Sequence, residues 1–506
     1  MTYHSLPCAL YTAAETRELD RLAIEQEGIP GDILMTRAGE AAFLLLREQW
    51  PHARNIAVVC GSGNNGGDGY VVALLAANAG LHPTVFASTP VSALQGDALT
   101  MAERVQAEGV PIIEIAGASG ADFSAVDVIV DGLLGTGLRG PVRPALVPVI
   151  ASINQSGKPV LALDIPSGLS ADSGAAPGEA VQAAHTITFI GVKRGLVTGE
   201  GPMLTGVLHF DDLRVPEAVY ANVAPQCWRP SLAEFRQFMT PRIATAHKGQ
   251  FGHVLVIGGD YGYAGAAVLS AQSAARCGAG LVTLATRKEH CALMITRQPE
   301  VMTRGIEKAD DLLPLLEKAT VVVIGPGLGQ GPWGQALLNK VLASDLPRVL
   351  DADALNLIAA DIEQKSFPKA PAEQVITPHP GEASRLLGAA TGAVQQDRFA
   401  AAGRLQALAG GTVLLKGAGT LISSDAEMLA LNTSGNPGMA TGGMGDVLSG
   451  VIGALLAQGL SAHNAARFGA LLHGLAADQA AAQDGERGLL ASDLLMPLRH
   501  LLNGCE

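Results

Sequence analysis

The chain has 506 residues, of which 48% are hydrophobic and 4% aromatic, and its formal net charge is −13. This length exceeds a single ordinary core, so two domains are expected. The negative charge disfavours a nucleic-acid ligand, because phosphate backbones bind electropositive faces. No apolar run reaches membrane-spanning length, and the six scattered cysteines predict neither a disulfide framework nor a zinc site. We therefore expect a cytoplasmic protein with no membrane partner.

The first predicted elements are two helices between Tyr11 and Trp50, the first with a capping box made by Thr12 and Glu15. Short apolar runs then alternate with helix-length segments. This pattern predicts βαβ units and a mostly parallel sheet. The predicted strands are Ile56–Cys60, Thr84–Ala87, Val126–Asp131, Val160–Asp164 and His185–Ile190.

A glycine-rich segment, Gly61–Gly69, follows the first of these strands, and a helix is predicted to begin near Tyr70. Glycines let a backbone approach a ligand, and a helix N-terminus offers unpaired N–H groups to an anion. The segment contains GxGxxG, but the next strand ends without the acidic residue that would hold a ribose, which disfavours an ordinary NAD-dependent dehydrogenase. A tight structural turn would explain some of the glycines, but not Asn64, Asn65 and Asp68 among them.

Two further strands end in carboxylates and lead into loops. Asp131 precedes the loop Gly132–Pro141, and Asp164 precedes Ile165–Gly168. A lone aspartate at a strand end usually caps a turn, but the carboxyl ends of strands are also where open α/β sheets bind ligands. Three such loops together predict a binding site, and oxygen-rich loops of this kind can hold a monovalent cation.

A stretch without clear periodicity, Val215–Pro230, contains three prolines. We place the domain boundary there, which gives domains at residues 1–222 and 230–506. A second series of βαβ units follows. Its predicted strands are His253–Ile257, Leu281–Ala285, Val321–Ile324, Arg348–Asp351, Gln374–Thr377 and Thr412–Lys416.

The glycine-rich segment Asn436–Asp446 precedes an apolar helix. Consecutive glycines there would aim backbone N–H groups into one concavity, which suits a phosphoryl group in transfer. Asp446 stands at the helix start, where the helix dipole is expected to keep it ionised. It could orient an attacking hydroxyl or accept its proton. The alternative is an ordinary aspartate near a helix N-terminus.

The second domain lacks GxxxxGK[ST] and is therefore not a P-loop enzyme. Instead, Lys416–Thr420 follows a predicted strand and suits the phosphates of a nucleotide. Gly325–Gly329 leaves another strand end, and His379 is held between two prolines, which fix the backbone. Asp351 and Asp353 could hold metal-bound water or cap a helix, and both interpretations stay open.

Together these motifs resemble the bifunctional NAD(P)H-hydrate repair enzymes, in which an epimerase domain is fused to an ADP-dependent dehydratase domain of the ribokinase-like superfamily. The resemblance covers nearly the whole chain apart from its extreme N-terminus and the linker. It implies an α/β protein of two three-layer domains, a Rossmann-like domain at 1–222 and a ribokinase-like domain at 230–506. The motifs that carry it are Asn64–Gly69, Gly135–Pro141, Asp164–Gly168, Gly325–Gly329, Thr377–Glu382, Lys416–Thr420 and Gly442–Asp446.

The resemblance also implies roles in the first domain. Asp164 would act as acid or base, and K⁺ would be held by Asn65, Asp131 and Ser167. The residues that would bind the hydrated cofactor are Asn64, Asn65, Gly66, Gly67, Asp68, Gly135, Thr136, Gly137, Leu138, Arg139, Gly140 and Pro141.

In the second domain, the resemblance makes Asp446 catalytic and implies Mg²⁺ bound with ADP. The hydrate would contact Ala266, Gly327 and His379. The residues that would bind ADP are Lys416, Gly417, Ala418, Gly419, Thr420 and Gly445.

The implied reactions repair hydrated NADH and NADPH (NADHX and NADPHX). The first domain would interconvert the R and S hydrates at C6, and the second would dehydrate the S form with ADP, releasing AMP and phosphate. A homo-oligomer is expected, with small molecules as the other partners. Two alternatives remain: a ribokinase-like small-molecule kinase, and an N-terminal half that binds nucleotide without catalysis.

Overall fold

The computed structural model describes residues 6–115, 121–238, 241–362, 367–371, 373–425 and 427–504. The chain divides into two compact units, Met1–Cys227 and Trp228–Glu506. Within the described ranges, none of the helices combines the length and the apolar character that crossing a bilayer requires. Each unit is an α/β structure with its own hydrophobic core.

The first unit begins with the two predicted helices, and both are confirmed. The capping box is also present, with Thr12 Oγ1 accepting from the Glu15 amide at 3.2 Å and Glu15 Oε2 accepting from the Thr12 amide at 2.7 Å. The helices are α1 (Ala13–Glu25), α2 (Gly31–Gln49), α3 (Asn64–Asn78), α4 (Gly96–Ala107), α5 (Val147–Gln155), α6 (Gly201–Leu204) and α7 (Glu217–Tyr220). The strands are β1 (Ala9–Tyr11), β2 (Asn55–Cys60), β3 (His82–Ala87), β4 (Ile112–Glu114), β5 (Val128–Gly132), β6 (Val160–Leu163), β7 (His185–Phe189), β8 (Val192–Lys193) and β9 (Val207–Asp211).

The main sheet of this unit is parallel throughout, in the order β4-β3-β2-β5-β6-β7-β9. Its strands are buried on both faces, since alternate residues of β2 enter two separate cores: Val58 on one face and Ala57 and Val59 on the other. The strand order reverses between β2 and β5. Open α/β sheets bind ligands outside the carboxyl ends of the strands at such a reversal.

A two-residue strand, β10 (Cys227–Trp228), lies at the division, and the second unit follows. Its helices are α8 (Leu232–Phe235), α9 (Ala264–Arg276), α10 (Cys291–Arg297), α11 (Leu313–Leu316), α12 (Pro332–Leu342), α13 (Ala352–Ile362), α14 (Pro380–Leu387), α15 (Thr391–Gln396), α16 (Arg398–Ala409), α17 (Met444–Ala457), α18 (Ala462–Asp484) and α19 (Leu495–Leu502). Its strands are β11 (His253–Ile257), β12 (Leu281–Thr286), β13 (Met302–Gly305), β14 (Val321–Ile324), β15 (Arg348–Leu350), β16 (Gln374–Ile376), β17 (Thr412–Leu415), β18 (Thr420–Ser423) and β19 (Leu429–Asn432).

The strand order in the second unit is β13-β12-β11-β14-β15-β16-β17-β18-β19. Pairing is parallel up to β17 and antiparallel for β18 and β19. Helix α17 packs against the centre of the sheet through an apolar face that includes Val447 and Val451. A Cβ atom on Gly453 would lie 2.4 Å from Val323 Cγ2, so this glycine is what lets the helix approach the sheet closely.

The structure differs from the sequence-based prediction at the start of α3. This helix begins at Asn64, not near Tyr70, so the polar and glycine residues up to Gly69 form its first turns. Glycine, asparagine and aspartate are weak helix formers. Tertiary packing overrides that preference here, because Gly66 and Gly69 are buried against the turn that precedes the helix and against β2.

Candidate active sites

A cavity of about 680 Å³ opens in the first unit at the reversal point of the sheet. Its size falls within the usual range for small-molecule sites. It is lined by the start of α3, the loop after β5, and residues from α1 and β8. The predicted site residues that line it are Asn64, Asn65, Gly66, Asp68, Gly135, Thr136, Gly137, Leu138, Arg139, Pro141 and Asp164, whereas Gly67 and Gly140 do not.

The buried glycines of α3 pack closely against neighbouring groups. A Cβ atom on Gly66 would lie 2.1 Å from the carbonyl oxygen of Gly61, and one on Gly67 would lie 2.4 Å from Met35 Cε. Gly67 therefore packs against Met35 and is not among the residues that line the cavity. Their effect is to hold the N-terminus of α3 at the cavity wall.

Behind this wall, Asn65, Asp131 and Ser167 are brought together around Leu134. Asn65 Nδ2 donates to the Leu134 carbonyl at 2.9 Å, and the Leu134 amide donates to Ser167 Oγ at 2.8 Å. Ser167 Oγ also lies 2.6 Å from Asp131 Oδ1, and burial raises the pKa of Asp131 to about 6. Asn65 Oδ1 is buried without a hydrogen-bond partner. Such an oxygen normally finds a partner, and this set of oxygen donors suits a cation.

Asp164 follows β6 and has a left-handed backbone with φ of 60°. A non-glycine residue in that region is strained, a condition found most often at functional sites. Its Oδ1 forms an ion pair with Lys193 Nζ and accepts from Thr188 Oγ1 at 3.2 Å and from the Phe189 amide at 3.3 Å. The surrounding bonds hold the carboxylate in place despite the backbone strain.

Lys193 was not predicted as a site residue, yet its side chain is only 1% exposed and lines the cavity. The sequence signal that could have identified Lys193 is its position in an apolar strand, β8. Buried lysines are rare unless they are paired, so a lysine there suggests a charged partner. Burial, with Asp164 and Asp20 adding to it, raises the pKa of Asp68 well above its usual range. Burial also raises the pKa of Asp20, on α1, to about 6. Three carboxyl groups therefore face one buried ammonium.

In the second unit, the loops after β11, β14, β15, β16 and β17 leave the same edge of the sheet, since these strands are parallel. They are tied to one another through the backbone. The Lys416 amide donates to the Pro378 carbonyl at 2.9 Å. A Cβ atom on Gly325 would lie 1.8 Å from the Asp351 carbonyl oxygen, so only glycine fits there.

The ammonium of Lys416 lies within a group of carboxylates at this edge. Lys416 Nζ donates to Asp351 Oδ1 at 2.9 Å and lies 3.9 Å from Glu382 Oε2. Thr377 Oγ1 donates to the same Asp351 oxygen at 2.7 Å. A Cβ atom on Gly445 would lie 3.3 Å from Lys416 Nζ, so the ammonium faces the start of α17.

Asp446 lies in the first turn of α17, beside this group. Burial raises its pKa to about 7, with Asp351 adding to the shift and Lys416 opposing it. The helix dipole is expected to favour the ionised form, and this desolvation acts against it. A carboxylate with this pKa is well matched to general-base chemistry near neutral pH.

The N-terminus of α17 is accessible. Gly443 is its N-cap with φ of 92°, and Gly443 and Gly445 are both partly exposed. The first amides of a helix have no intrahelical acceptor, so those of Met444, Gly445 and Asp446 are directed out of the helix end. The glycine-rich segment predicts an anion-binding concavity at this helix end.

The same edge of the second sheet also carries the residues predicted to contact the hydrate, Ala266, Gly327 and His379. Gly327 has φ of 57°, and a Cβ atom on it would lie 3.2 Å from Ala266 Cβ. His379 is the N-cap of α14, where its Nδ1 accepts from the Gly381 amide at 2.9 Å. Burial, with Lys416 adding to it, lowers the pKa of His379, which favours the neutral ring.

Arg398, which was not predicted as a site residue, forms hydrogen bonds to the backbone of the loop Lys416–Thr420. Its guanidinium is buried and donates to the Gly419 carbonyl at 3.1 Å and to the Leu415 carbonyl at 3.4 Å. Gly417 has φ of 141°, and a Cβ atom there would lie 2.5 Å from Arg398 Nη1. The buried guanidinium therefore fixes the course of this loop.

Asp351 and Asp353 have different hydrogen-bond partners. Asp353 Oδ2 accepts from the Gly329 amide at 2.9 Å, and its Oδ1 accepts from Gln330 Nε2 at 3.1 Å. Asp353 thus ties α13 to the loop after β14, and Asp351 positions Lys416. Among the described residues, no group of three or more histidine, cysteine or acidic side chains is arranged to hold a metal ion.

Comparison with known proteins adds to this geometry. Residues 254–499 match the family model described as NAD(P)H-hydrate dehydratase, and residues 31–195 match the model described as YjeF-related protein N-terminus. A bifunctional NAD(P)H-hydrate repair enzyme of Coxiella burnetii is 50% identical over 98% of this chain and 99% of its own length. The corresponding enzyme of Escherichia coli is 45% identical over 99% of this chain and 95% of its own length. The chain belongs to the bifunctional NAD(P)H-hydrate repair enzyme family.

Solved structures similar to this member of the repair enzyme family confirm the expected ribokinase-like fold of its second half. An ADP/ATP-dependent NAD(P)H-hydrate dehydratase from Bacillus subtilis, co-crystallised with ATP and Mg²⁺, is 31% identical, with a TM-score of 0.50. The match covers 55% of this chain and 98% of that one. A ribokinase-like superfamily protein from Enterococcus faecalis is 32% identical over 55% of this chain and 96% of its own, with a TM-score of 0.51.

Proposed function

We propose that this chain repairs hydrated NADH and NADPH in two steps, one in each half. Residues 1–222 interconvert the R and S hydrates at C6. Residues 230–506 dehydrate the S hydrate with ADP and release AMP and phosphate. The observation that carries the second step is the convergence of Asp446, Lys416 and the free amides of α17 at one sheet edge.

The chemistry of dehydration explains why such a site is needed. The C6 hydroxyl is a poor leaving group until it is phosphorylated. Asp446 accepts the hydroxyl proton as the oxygen attacks the terminal phosphorus of ADP, and the α17 amides with Lys416 stabilise the charge on the phosphoryl group. The ring nitrogen then expels phosphate, which leaves an N1=C6 iminium, and transfer of a C5 proton to the released phosphate restores the C5=C6 bond.

The remaining residues of this site are assigned to binding. Ala266, Gly327 and His379 are proposed to contact the hydrate. Gly445 and the loop Lys416–Thr420 are proposed to bind ADP, and the buried Arg398 supports that loop by fixing its backbone. The ammonium of Lys416 is bound to Asp351 and lies close to Gly445 at the start of α17, where it is proposed to serve the transferring phosphoryl group.

Mg²⁺ is proposed to enter with the nucleotide. It would neutralise charge on the phosphate oxygens when bound. The chain has carboxylates at the sheet edge but no preformed metal cage among its described residues, and Mg²⁺ is often held largely by substrate phosphates and water. The site therefore suits Mg²⁺ that arrives already bound to the nucleotide, not a metal ion held by protein side chains alone.

In the first half, the cavity is proposed to hold the hydrated cofactor through its predicted lining residues. Asp164 is assigned as acid or base, and its ion pair with Lys193 supports the assignment. Asn65, Asp131 and Ser167 are proposed to hold K⁺, since the unpartnered amide oxygen of Asn65 needs an electropositive neighbour. A bound K⁺ would fix the wall of the cavity. We also propose a cytoplasmic location and a homo-oligomer.

Incubation with hydrated NADH, Mg²⁺ and either ADP or ATP tests this function. The expected result is recovery of dihydronicotinamide absorbance together with release of phosphate. A small-molecule kinase would instead leave a stable phosphorylated product and no recovered absorbance. That outcome would overturn the proposed dehydration.

A further inference from the structure

Asp20 is an acidic residue of the first-half cavity that no assigned role explains. It lies on α1, outside the matched segment 31–195. It lines the cavity together with Asp68, Asp164 and Lys193. Its side chain is partly buried, and within the described part of the chain its carboxyl group has no hydrogen-bond partner.

Two of the cavity carboxyl groups near Lys193, those of Asp20 and Asp164, differ in their contacts. Asp164 is bound by the Lys193 ammonium, by Thr188 Oγ1 and by a backbone amide. Asp20 lies close enough for charge interactions with Lys193 and Asp164, but it forms no ion pair with any residue that the structure describes. Two carboxyl groups in one site with different environments are a common way to obtain one base and one acid.

The epimerisation proposed above needs two such groups. C6 of the hydrate carries both a hydroxyl group and the ring nitrogen N1, so it is a hemiaminal carbon. Opening the ring removes the hydroxyl proton, breaks the C6–N1 bond and forms the C6=O double bond. The electron pair moves to N1, which must take up a proton. Rotation about C5–C6 and the reverse steps then close the ring on the opposite face.

We infer that Asp20 is the second catalytic residue of epimerisation, donating a proton to N1 on ring opening and recovering it on ring closure, while Asp164 exchanges the hydroxyl proton. The inference rests on the proposed epimerisation and adds a residue to it. A raised pKa of about 6 lets Asp20 both give and take a proton near neutral pH. The titratable groups that face Asp20 are Arg17 on its own helix, Asp68 from α3, Asp164, Lys193 and Tyr220 from α7.

The test uses the full-length chain without ADP, so that no dehydration takes place. Chromatography then follows the interconversion of separated R and S NADHX. For Asp20→Asn we expect kcat to fall about 100-fold, with KM little changed, as for loss of a general acid. In the unmodified chain, epimerisation should also decline above about pH 6, as Asp20 loses its proton. The variant should lack that decline.

Glu18→Gln is the matched control, because it removes a carboxylate from the same helix at an exposed site, with 43% of the side chain exposed. It should keep full activity. Asp20→Asn removes repulsion from Asp68 and Asp164, so its melting temperature should not fall. Unchanged kcat in Asp20→Asn, or lost activity with a lowered melting temperature, overturns the inference. A full-length chain that does not exceed the spontaneous rate overturns epimerisation itself, which is a distinct result.

Discussion

At the scale of single residues, environment decides what each aspartate can do. Asp446 stands at a helix N-terminus, which favours the ionised form, yet burial beside Asp351 raises its pKa to about 7. Asp353, two positions after Asp351, accepts two hydrogen bonds from the loop after β14 and so stabilises that loop. Residue type alone does not separate these roles.

The pH dependence of dehydration follows from Asp446. A general base must be unprotonated, and the pKa of Asp446 is raised to about 7. We expect kcat to fall as the pH drops below about 7, and Asp446→Asn to reduce kcat about 1,000-fold with no remaining dependence of this kind. Rates of absorbance recovery between pH 5 and 9 measure both. An Asn variant that keeps the acid-side decline would show that another group is the base.

At the scale of elements, the two helix N-termini are built differently. Helix α3 begins after Gly63 in extended conformation, and its glycines pack inward. Helix α17 begins after Gly443 in a left-handed conformation, which sets the direction of its free amides. The loop Lys416–Thr420 depends on a side chain from another helix, Arg398 of α16.

Gly443→Ala should damage the amide concavity. The new Cβ would lie 2.7 Å from Leu269 Cδ1, and φ of 92° is strained for alanine. Displacement of the amides should lower dehydratase kcat about 100-fold, measured by phosphate release. Gly459→Ala is the control, because Gly459 has φ of 95° and nothing within 4 Å of its Cβ position. Equal losses in the two variants would assign the effect to backbone strain alone.

Arg398→Met should loosen the proposed ADP loop. We expect the KM for ADP to rise about tenfold, equivalent to about 1.4 kcal/mol of binding free energy, with a smaller effect on kcat. Steady-state kinetics with varied ADP measure this change. Arg404→Met, at an exposed position of the same helix, should leave the KM unchanged. A normal KM in Arg398→Met would remove the support for nucleotide binding by this loop.

At the scale of the whole molecule, each half has its own hydrophobic core and its own proposed site. The groups of the first site, Asp164 and Lys193, belong to residues 1–227, and those of the second, Lys416 and Asp446, belong to residues 228–506. The two reactions therefore need no shared side chain.

Single substitutions should separate the two activities. Asp446→Ala is expected to abolish dehydration and leave epimerisation intact. Asp164→Ala is expected to do the reverse, so that purified S hydrate is still repaired while the R hydrate accumulates. Chromatography of both epimers over time measures both rates. Loss of both activities in one folded variant would contradict the two-site arrangement.

Much of the fold was predictable because its signals are local. The buried strands are continuous apolar runs, so β2, β11 and β14 were located closely. Short or less apolar strands were missed, including β13, whose residues are mostly exposed, and β18, which follows β17 after a short turn. The glycine-rich segments marked both sites, because a left-handed or closely packed backbone requires glycine wherever it occurs.

The sequence by itself determined the α/β class, the family motifs and the residues at the strand ends, since these depend on periodicity and local chemistry. Only the tertiary structure decided that Lys193 pairs with Asp164, that Arg398 supports Lys416–Thr420, and that burial raises the pKa of Asp446. Ion pairs between remote segments and the desolvation of a carboxylate depend on which atoms surround a group in space. That arrangement exists only once the chain has folded.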